Sequence, residues 1–249
     1  STTIEAKPYV GSASGALVAA ANPLAVDAGI EVLAAGGSAV DAAIAVQAVL
    51  GLVEPQSSGL GGGAFLVHYD AATGDVVTYD GREIAPSGAR PDMFLDANGR
   101  PLDYTTAIRS GRSVGVPGAV AMLEMAHREH GRLPWRQPWQ RAATIASEGF
   151  EVSPRLHQII GAALERGPLP SSASRYLTVD GVKPLPIGAR LVNRAYAKTV
   201  RAIADEGAKT FYTGEIAKEI VAAVAEGAIP GSLNAEDLRS YRPIKLEPI

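Results

Sequence analysis

The sequence predicts a mixed α/β fold, and three observations carry that reading. Two runs of small apolar residues at helical spacing come before residue 54, and a glycine-rich loop then opens into two strand-like runs joined by a tight turn. Beyond residue 86 the chain reads as helices separated by loops rich in proline and glycine. Small-residue helices ahead of a hairpin suggest helices packed closely on a sheet. The 249 residues are read as one domain: an αβ core with a hairpin over 1–85, a mostly helical region over 86–241, and the start of a strand over 242–249.

Hydrophobic residues make up 47% and charged residues 20%, which supports a sizeable core. A net charge of −3 argues against nucleic acid or an anionic membrane as the main partner. Cysteine is absent, which excludes disulfides, thiolate metal sites and a cysteine nucleophile. No apolar run reaches the roughly 18 residues of a membrane span. The first residue is Ser1 and not Met, consistent with removal of a leader.

In chain order, 15–21 (GALVAAA) reads as a short buried strand. Asn22 caps the first helix, with Pro23 at its first position and Leu24, Ala25, Ala28, Val32 and Leu33 on one face. Ser38, with Asp41 three residues on, opens a second helix over 39–52 that is apolar nearly all round, as in a helix buried between layers. The stretch 54–83 organises the rest. Gly59, Gly61, Gly62 and Gly63 lead into a strand over 64–69, a turn at 73–75, and a second strand over 76–79 that delivers Asp80, Gly81, Arg82 and Glu83. A loop over 86–112 leads to helices over 115–130, 154–166, 193–206, 215–226 and 235–241, with a short amphipathic one following Trp139. The stretch 167–188 reads as surface loop and 211–214 as a turn. Ile244, Leu246 and Ile249 read as a half-buried strand without a closing turn, an unfinished edge that implies further protein, in a second chain or a missing segment.

Several side chains invite a chemical reading. Arg82, at a strand end beside the glycine loop, offers a planar fork for a carboxylate; equally, it suits an ion pair with Asp80 or Glu83. Glu83 points the other way on a strand and suits a structural role, holding a loop. The glycine cluster lacks the Lys-Ser/Thr of a nucleotide loop and precedes a strand, so it reads as tight backbone packing. Ser57 and Ser58 have no base partner in view. His127 and His130, three apart on a helix, read as a solvated helix end, His68 as a packing residue, and Trp135 and Trp139 as core. Tyr104, Arg109 and Arg112 are candidates for the mouth of a substrate site.

GLGGGAF at 59–65 and YDGREIAPSGARPDMF at 79–94 resemble the γ-glutamyltransferase family, as do GGSAVDAAIAV at 36–46, SVGVPGAVAML at 113–123, FYTGEIA at 211–217 and LNAEDLRSY at 233–241. The resemblance implies a four-layer αββα N-terminal nucleophile hydrolase sandwich, to which this chain gives part of the sheets plus a helical region. It implies a large-subunit portion of a self-cleaving precursor, incomplete without its partner, the small subunit. The expected reaction moves a γ-glutamyl group from a glutathione-like γ-glutamyl amide to water or an amine. The nucleophile, a threonine, is expected on the partner chain, so no catalytic residue is assigned here. Arg82 matches the family's substrate-binding arginine, which grips the α-carboxylate. No metal and no cofactor are expected, and the location implied is periplasmic or secreted. The rival readings are a cephalosporin acylase of the same family and a non-catalytic small-molecule-binding protein.

Overall fold

The computed structural model describes residues 15–247. Helix α1 spans Pro23–Ala34, and its cap is Asn22, whose side chain accepts from the Leu24 amide at 3.1 Å. The Asn22 amide group donates in turn to the buried Glu54 carboxylate at 2.9 Å, which ties the start of α1 to the end of α2. Helix α2, Ala39–Val53, has a complete capping box: Ser38 Oγ accepts from the Asp41 amide and Asp41 accepts from the Ser38 amide. The two helices pack closely because α1 is glycine where they meet; a Cβ on Gly29 would lie 2.9 Å from Val18 and from Val46 side chains. No strand forms over 15–21. Leu17 is exposed there, and no other strand among the described residues lies alongside to satisfy the backbone.

Strands β1, Ala64–Tyr69, and β2, Val76–Gly81, form the expected hairpin, paired from Ala64↔Gly81 to Tyr69↔Val76. The second strand runs two residues past Tyr79 because Asp80 and Gly81 still pair with Phe65 and Ala64.

The remaining elements run in order. They are α3 (Tyr104–Ile108), α4 (Ala119–His130), α5 (Gln140–Glu148), β3 (Phe150–Glu151), α6 (Pro154–Glu165), α7 (Ser171–Leu177), β4 (Thr178–Val179), β5 (Lys183–Pro184), β6 (Arg190–Leu191), α8 (Arg194–Glu206), α9 (Lys209–Tyr212), α10 (Gly214–Ala225), α11 (Ala235–Ser240) and β7 (Ile244–Leu246). The helix expected from 115 begins at Ala119. The residues before it are extended, with the Val116 amide donating to Ile84 O at 2.9 Å. The amides of Gly118 and Ala119 both donate to Gly62 O at 3.0 Å, so the glycine loop satisfies donors at the helix start. The loop expected over 167–188 contains α7 and the β4–β5 ladder; Asp180 and Gly181 take positive φ and turn the chain there. Phe211 and Tyr212, expected in a turn, close α9.

Helix α4 covers one face of a three-stranded antiparallel sheet ordered β1-β2-β7, so the α/β expectation holds as a helical layer on a sheet. Leu66 and Tyr79 face that layer. The other face is apolar and bare: Phe65 is 59%, Val67 68% and Tyr69 62% exposed. Strand β7 was expected to be half-buried, yet all three of its residues are exposed. Ile244 and Leu246 lie on the bare face, and the position between them is Lys245, which reaches Glu129 at 2.6 Å. Ile249 lies outside the described residues. No helix among the described residues is long and apolar enough to cross a membrane.

A single core runs through α2, α4, α5, α6 and α8, with Trp139 fully buried and Trp135 packed at 5.1 Å from it, as expected. The end of α4 is not the solvated end expected of it. His127 Nε2 lies 3.0 Å from Leu133 O and 3.3 Å from the buried Asp41 carboxylate. His130 stacks on His68 at 3.8 Å, and its Nε2 lies 2.7 Å from the Tyr79 hydroxyl. His130 fills space between α4 and the sheet, and His127 fills space between α4, the start of α2 and Trp135, long-range arrangements to which the three-residue spacing gives no clue.

Candidate active site

The segment 82–88 leaves β2 and carries Arg82. Four neighbours hold it, from three different parts of the chain. The Glu83 carboxylate accepts from the Gly63 amide at 2.7 Å. Ile84 O accepts from Val116. The Ser87 amide donates to Asp237 at 3.0 Å, and the Tyr241 hydroxyl donates to Arg82 O at 2.8 Å. Burial, then the charges of Asp80 and Glu83, pushes the Tyr241 hydroxyl up to about 12, so it stays a proton donor across the physiological range. Helix α11 is stiffened for this task by its own capping box, Asn234 with Asp237. Neither Asp237 nor Tyr241 was among the sequence candidates. The available signal was Asn234 followed three residues on by Asp237, which reads as a cap and says nothing of what the carboxylate's other oxygen holds.

Gly63 is a close-approach glycine. A Cβ there would lie 2.5 Å from Glu83 Oε2 and 2.8 Å from the Glu83 backbone nitrogen. The glycine loop is therefore the bed on which Glu83 rests, as the packing reading expected, and Glu83 is the loop-holding residue it was expected to be.

Arg82 itself is free of strong pairing. Its Nε lies 3.6 Å from Glu83 Oε2, beyond hydrogen-bond distance, and its side chain is 68% exposed. Asp80 accepts from the Arg82 backbone amide at 2.8 Å and not from the guanidinium. The terminal guanidinium nitrogens have no acceptor among the described residues, and they face an open cleft of about 460 Å³. That cleft is within the size range of small-molecule sites. Pro86, Met93, Phe94 and Val114 give it apolar walls, and Arg112 also lines it.

The other candidates separate. Arg109 turns away and donates to Pro168 O at 3.0 Å and Ala163 O at 3.3 Å. Tyr104 begins α3 and is exposed, outside the cleft. Ser58 Oγ accepts from Gln47 at 3.1 Å, and no histidine or carboxylate among the described residues is hydrogen-bonded to Ser57 or Ser58. No group of three or more His, Asp or Glu side chains among the described residues is placed to hold a metal ion.

Comparison with known proteins matches residues 25–249 to the family model described as gamma-glutamyltranspeptidase. The chain is 37% identical over 233 residues to the glutathione hydrolase proenzyme of Bacillus subtilis (strain 168), covering 94% of this chain and 39% of that protein. It thus spans about two-fifths of the length of that relative. Its structure resembles the gamma-glutamyltranspeptidase of Helicobacter pylori with a TM-score of 0.88 at 33% identity, over 97% of this chain and 68% of the other. It also resembles a cephalosporin acylase from Bacillus halodurans, with a TM-score of 0.74 at 29% identity, over 100% of this chain and 47% of the other. On the extent of the family match and of these likenesses, the chain belongs to the gamma-glutamyltranspeptidase family.

Proposed function

We propose that this chain supplies the carboxylate-anchoring half of a γ-glutamyl transferase or hydrolase, and that Arg82 is the anchor. The observation that carries the proposal is the Arg82 guanidinium, held at a cleft by its main chain while its terminal nitrogens stay unspent. A γ-glutamyl amide such as glutathione enters with its α-carboxylate on that fork, and the γ-amide is thereby fixed in place. A threonine of a partner chain from the same precursor then attacks the γ-carbonyl carbon. Its hydroxyl proton passes to its own α-amine and on to the departing amine, which leaves a glutamyl ester. Backbone donors of that partner hold the oxyanion, and water or an acceptor amine releases the glutamyl group.

The bare apolar face of the sheet, where Phe65, Val67, Tyr69, Ile244 and Leu246 are exposed, supports a partner chain, since a contiguous exposed apolar patch is a usual mark of an interface. The word "proenzyme" in the relative's name fits a processed precursor. In this reading the chain is one domain that is incomplete alone. It also places the protein in the periplasm or the medium, which cell fractionation tests: finding the processed protein only in the cytosol refutes it.

Likeness to a cephalosporin acylase favours a second reading, in which Arg82 binds a terminal carboxylate of a β-lactam side chain. Turnover of γ-glutamyl anilide against glutaryl-cephalosporin separates the two.

The central test replaces Arg82. A charge-assisted bond to a carboxylate is worth about 1.5–3 kcal/mol, or about ten- to a hundred-fold in affinity. Arg82→Ala is expected to raise KM for a γ-glutamyl substrate by that factor, and Arg82→Lys to recover part of it, since the charge remains and the fork is lost. Self-cleavage and turnover of an analogue without the α-carboxylate are expected to continue. Equal processing of the γ-glutamyl substrate by wild type and Arg82→Ala would overturn the assignment.

A further inference from the structure

The cleft that carries Arg82 carries a second arginine at its other end. Arg112 Nη1 donates to Met93 O at 2.6 Å, which fixes the plane of the guanidinium. Its Nε and Nη2 have no acceptor among the described residues, and no carboxylate there lies within ion-pair distance of it. The acidic side chains nearby are occupied: Asp92 pairs with Arg90 at 3.1 Å, and Asp96 with Arg100 at 3.0 Å. The field of Arg112 still reaches Asp92, whose carboxyl is held below its ordinary value by the Arg90 hydrogen bond first and by Arg112 last. A fixed cation facing a cleft, with no anion of its own, is the arrangement that takes an anion from solution.

The spacing says which kind. Ile84 opposes Val116 in an isolated antiparallel bridge; Arg82 lies two residues before Ile84 and Arg112, in the 3-10 turn Gly111–Ser113, four before Val116, so the two fall on opposite sides of the bridge. Those six residue steps, even if fully extended, separate the two positions along the chain direction by at most about 20 Å. Both residues line the same cleft. An extended tripeptide spans about 10 Å.

From this geometry we infer that Arg112 forms a second carboxylate subsite, and that it binds the C-terminal carboxylate of the peptide on the departing side of the scissile amide. Arg82 takes the α-carboxylate of the glutamyl end; Arg112 takes the far end of the same substrate. The inference rests on the Arg82 reading for its substrate class. It makes the protein selective for γ-glutamyl peptides with a free C-terminus over γ-glutamyl amides with a neutral leaving group.

The test uses the assembled, processed enzyme with three substrates: glutathione, glutathione amidated at its glycine, and γ-glutamyl anilide. Arg112→Met is expected to raise KM for glutathione roughly ten-fold while leaving kcat near wild type, and to leave KM for the amidated peptide and the anilide unchanged. Arg112→Lys, which keeps the charge, is expected to recover part of the glutathione KM. A loss that is equal for all three substrates makes Arg112 a support for the Met93 loop and overturns the inference; so does no change for any of them. Arg82→Ala, run in parallel, distinguishes the two claims. It is expected to weaken all three substrates. If it weakens none while Arg112→Met still separates glutathione from its amide, the anchor reading fails and the second subsite stands.

Discussion

Gly63→Ala tests the mount of the proposed anchor without touching the anchor. The added Cβ would lie 2.5 Å from Glu83 Oε2, 2.8 Å from its Cδ and 2.8 Å from its backbone nitrogen. The carboxylate can rotate away; the backbone nitrogen cannot, so the main chain at 63 or at 83 must shift. Forcing an extra methyl into a filled site costs about 1–3 kcal/mol. Moving Glu83 also weakens its bond to the Gly63 amide, a charged acceptor worth about 1.5–3 kcal/mol when buried; Glu83 is one-third exposed, and the lower end of that range applies. The expected total is about 2–4 kcal/mol, read as a lowered midpoint in urea unfolding of the assembled protein. Because Arg82 adjoins Glu83, kcat/KM for a γ-glutamyl substrate is expected to fall as well. The double variant Gly63→Ala with Glu83→Ala is expected to be less destabilised than the sum of the singles, since the carboxylate clash is gone while the backbone clash remains. A Gly63→Ala protein with wild-type midpoint and wild-type kcat/KM would refute the claim that this contact holds the site.

Other perturbations have definite outcomes. Asp41 is fully buried and accepts the amides of Ser38, Arg132 and Leu133, with His127 at 3.3 Å; Asp41→Ala is expected to cost about 3–5 kcal/mol in urea unfolding, and a loss under about 1 kcal/mol would show the donors are satisfied otherwise. Val67→Asp puts a charge on the bare sheet face without disturbing this chain's own packing, so this chain and its proposed partner are expected to separate on size exclusion, and intact co-elution would exclude that face as the interface. His130 is held below its ordinary 6.5 mainly by burial and by His68, against Glu129 and Asp70, with Lys245 adding to the lowering. The unfolded chain therefore binds more protons just below pH 6.5, and stability is expected to fall as pH drops through that window toward the folded value. Glu129 is held below 4.5 by Lys245 and Tyr79, so its contribution is present above 4.5 and lost only at lower pH. His130→Gln is expected to flatten the upper window alone, and an unchanged profile between pH 5 and 7 would show that His130 does not govern it.

What the sequence makes legible here is what chain neighbours decide. Asn22, Ser38, Ser153, Asn193 and Asn234 each cap the helix that follows, through an acceptor two or three residues from its donor. The hairpin is legible because alternation and a glycine turn are local signals. The extended 114–117 has a local signal of its own, since Val114 and Val116 are β-branched and Pro117 disfavours helix at Val116, but what holds it is Ile84 and Gly62, more than thirty and fifty residues away in the chain. The same distinction applies at the site. Arg82 is legible as a residue type in a motif, but its mount is not: Tyr241 stands 159 residues from Arg82, and Asp237 stands 150 from Ser87. The mount nonetheless explains why this arginine, among many, is available to a ligand. The bonds that fix 82–88 end on main-chain atoms of Arg82, Ile84 and Ser87 or on the Glu83 and Ser87 side chains, and none ends on the Arg82 guanidinium. An arginine held by its own guanidinium, as Arg109 is by three carbonyls, has little left to offer. Arg82 is positioned mainly by its backbone, its Nε lying 3.6 Å from the Glu83 carboxylate, so the terminal nitrogens are left over for a ligand carboxylate.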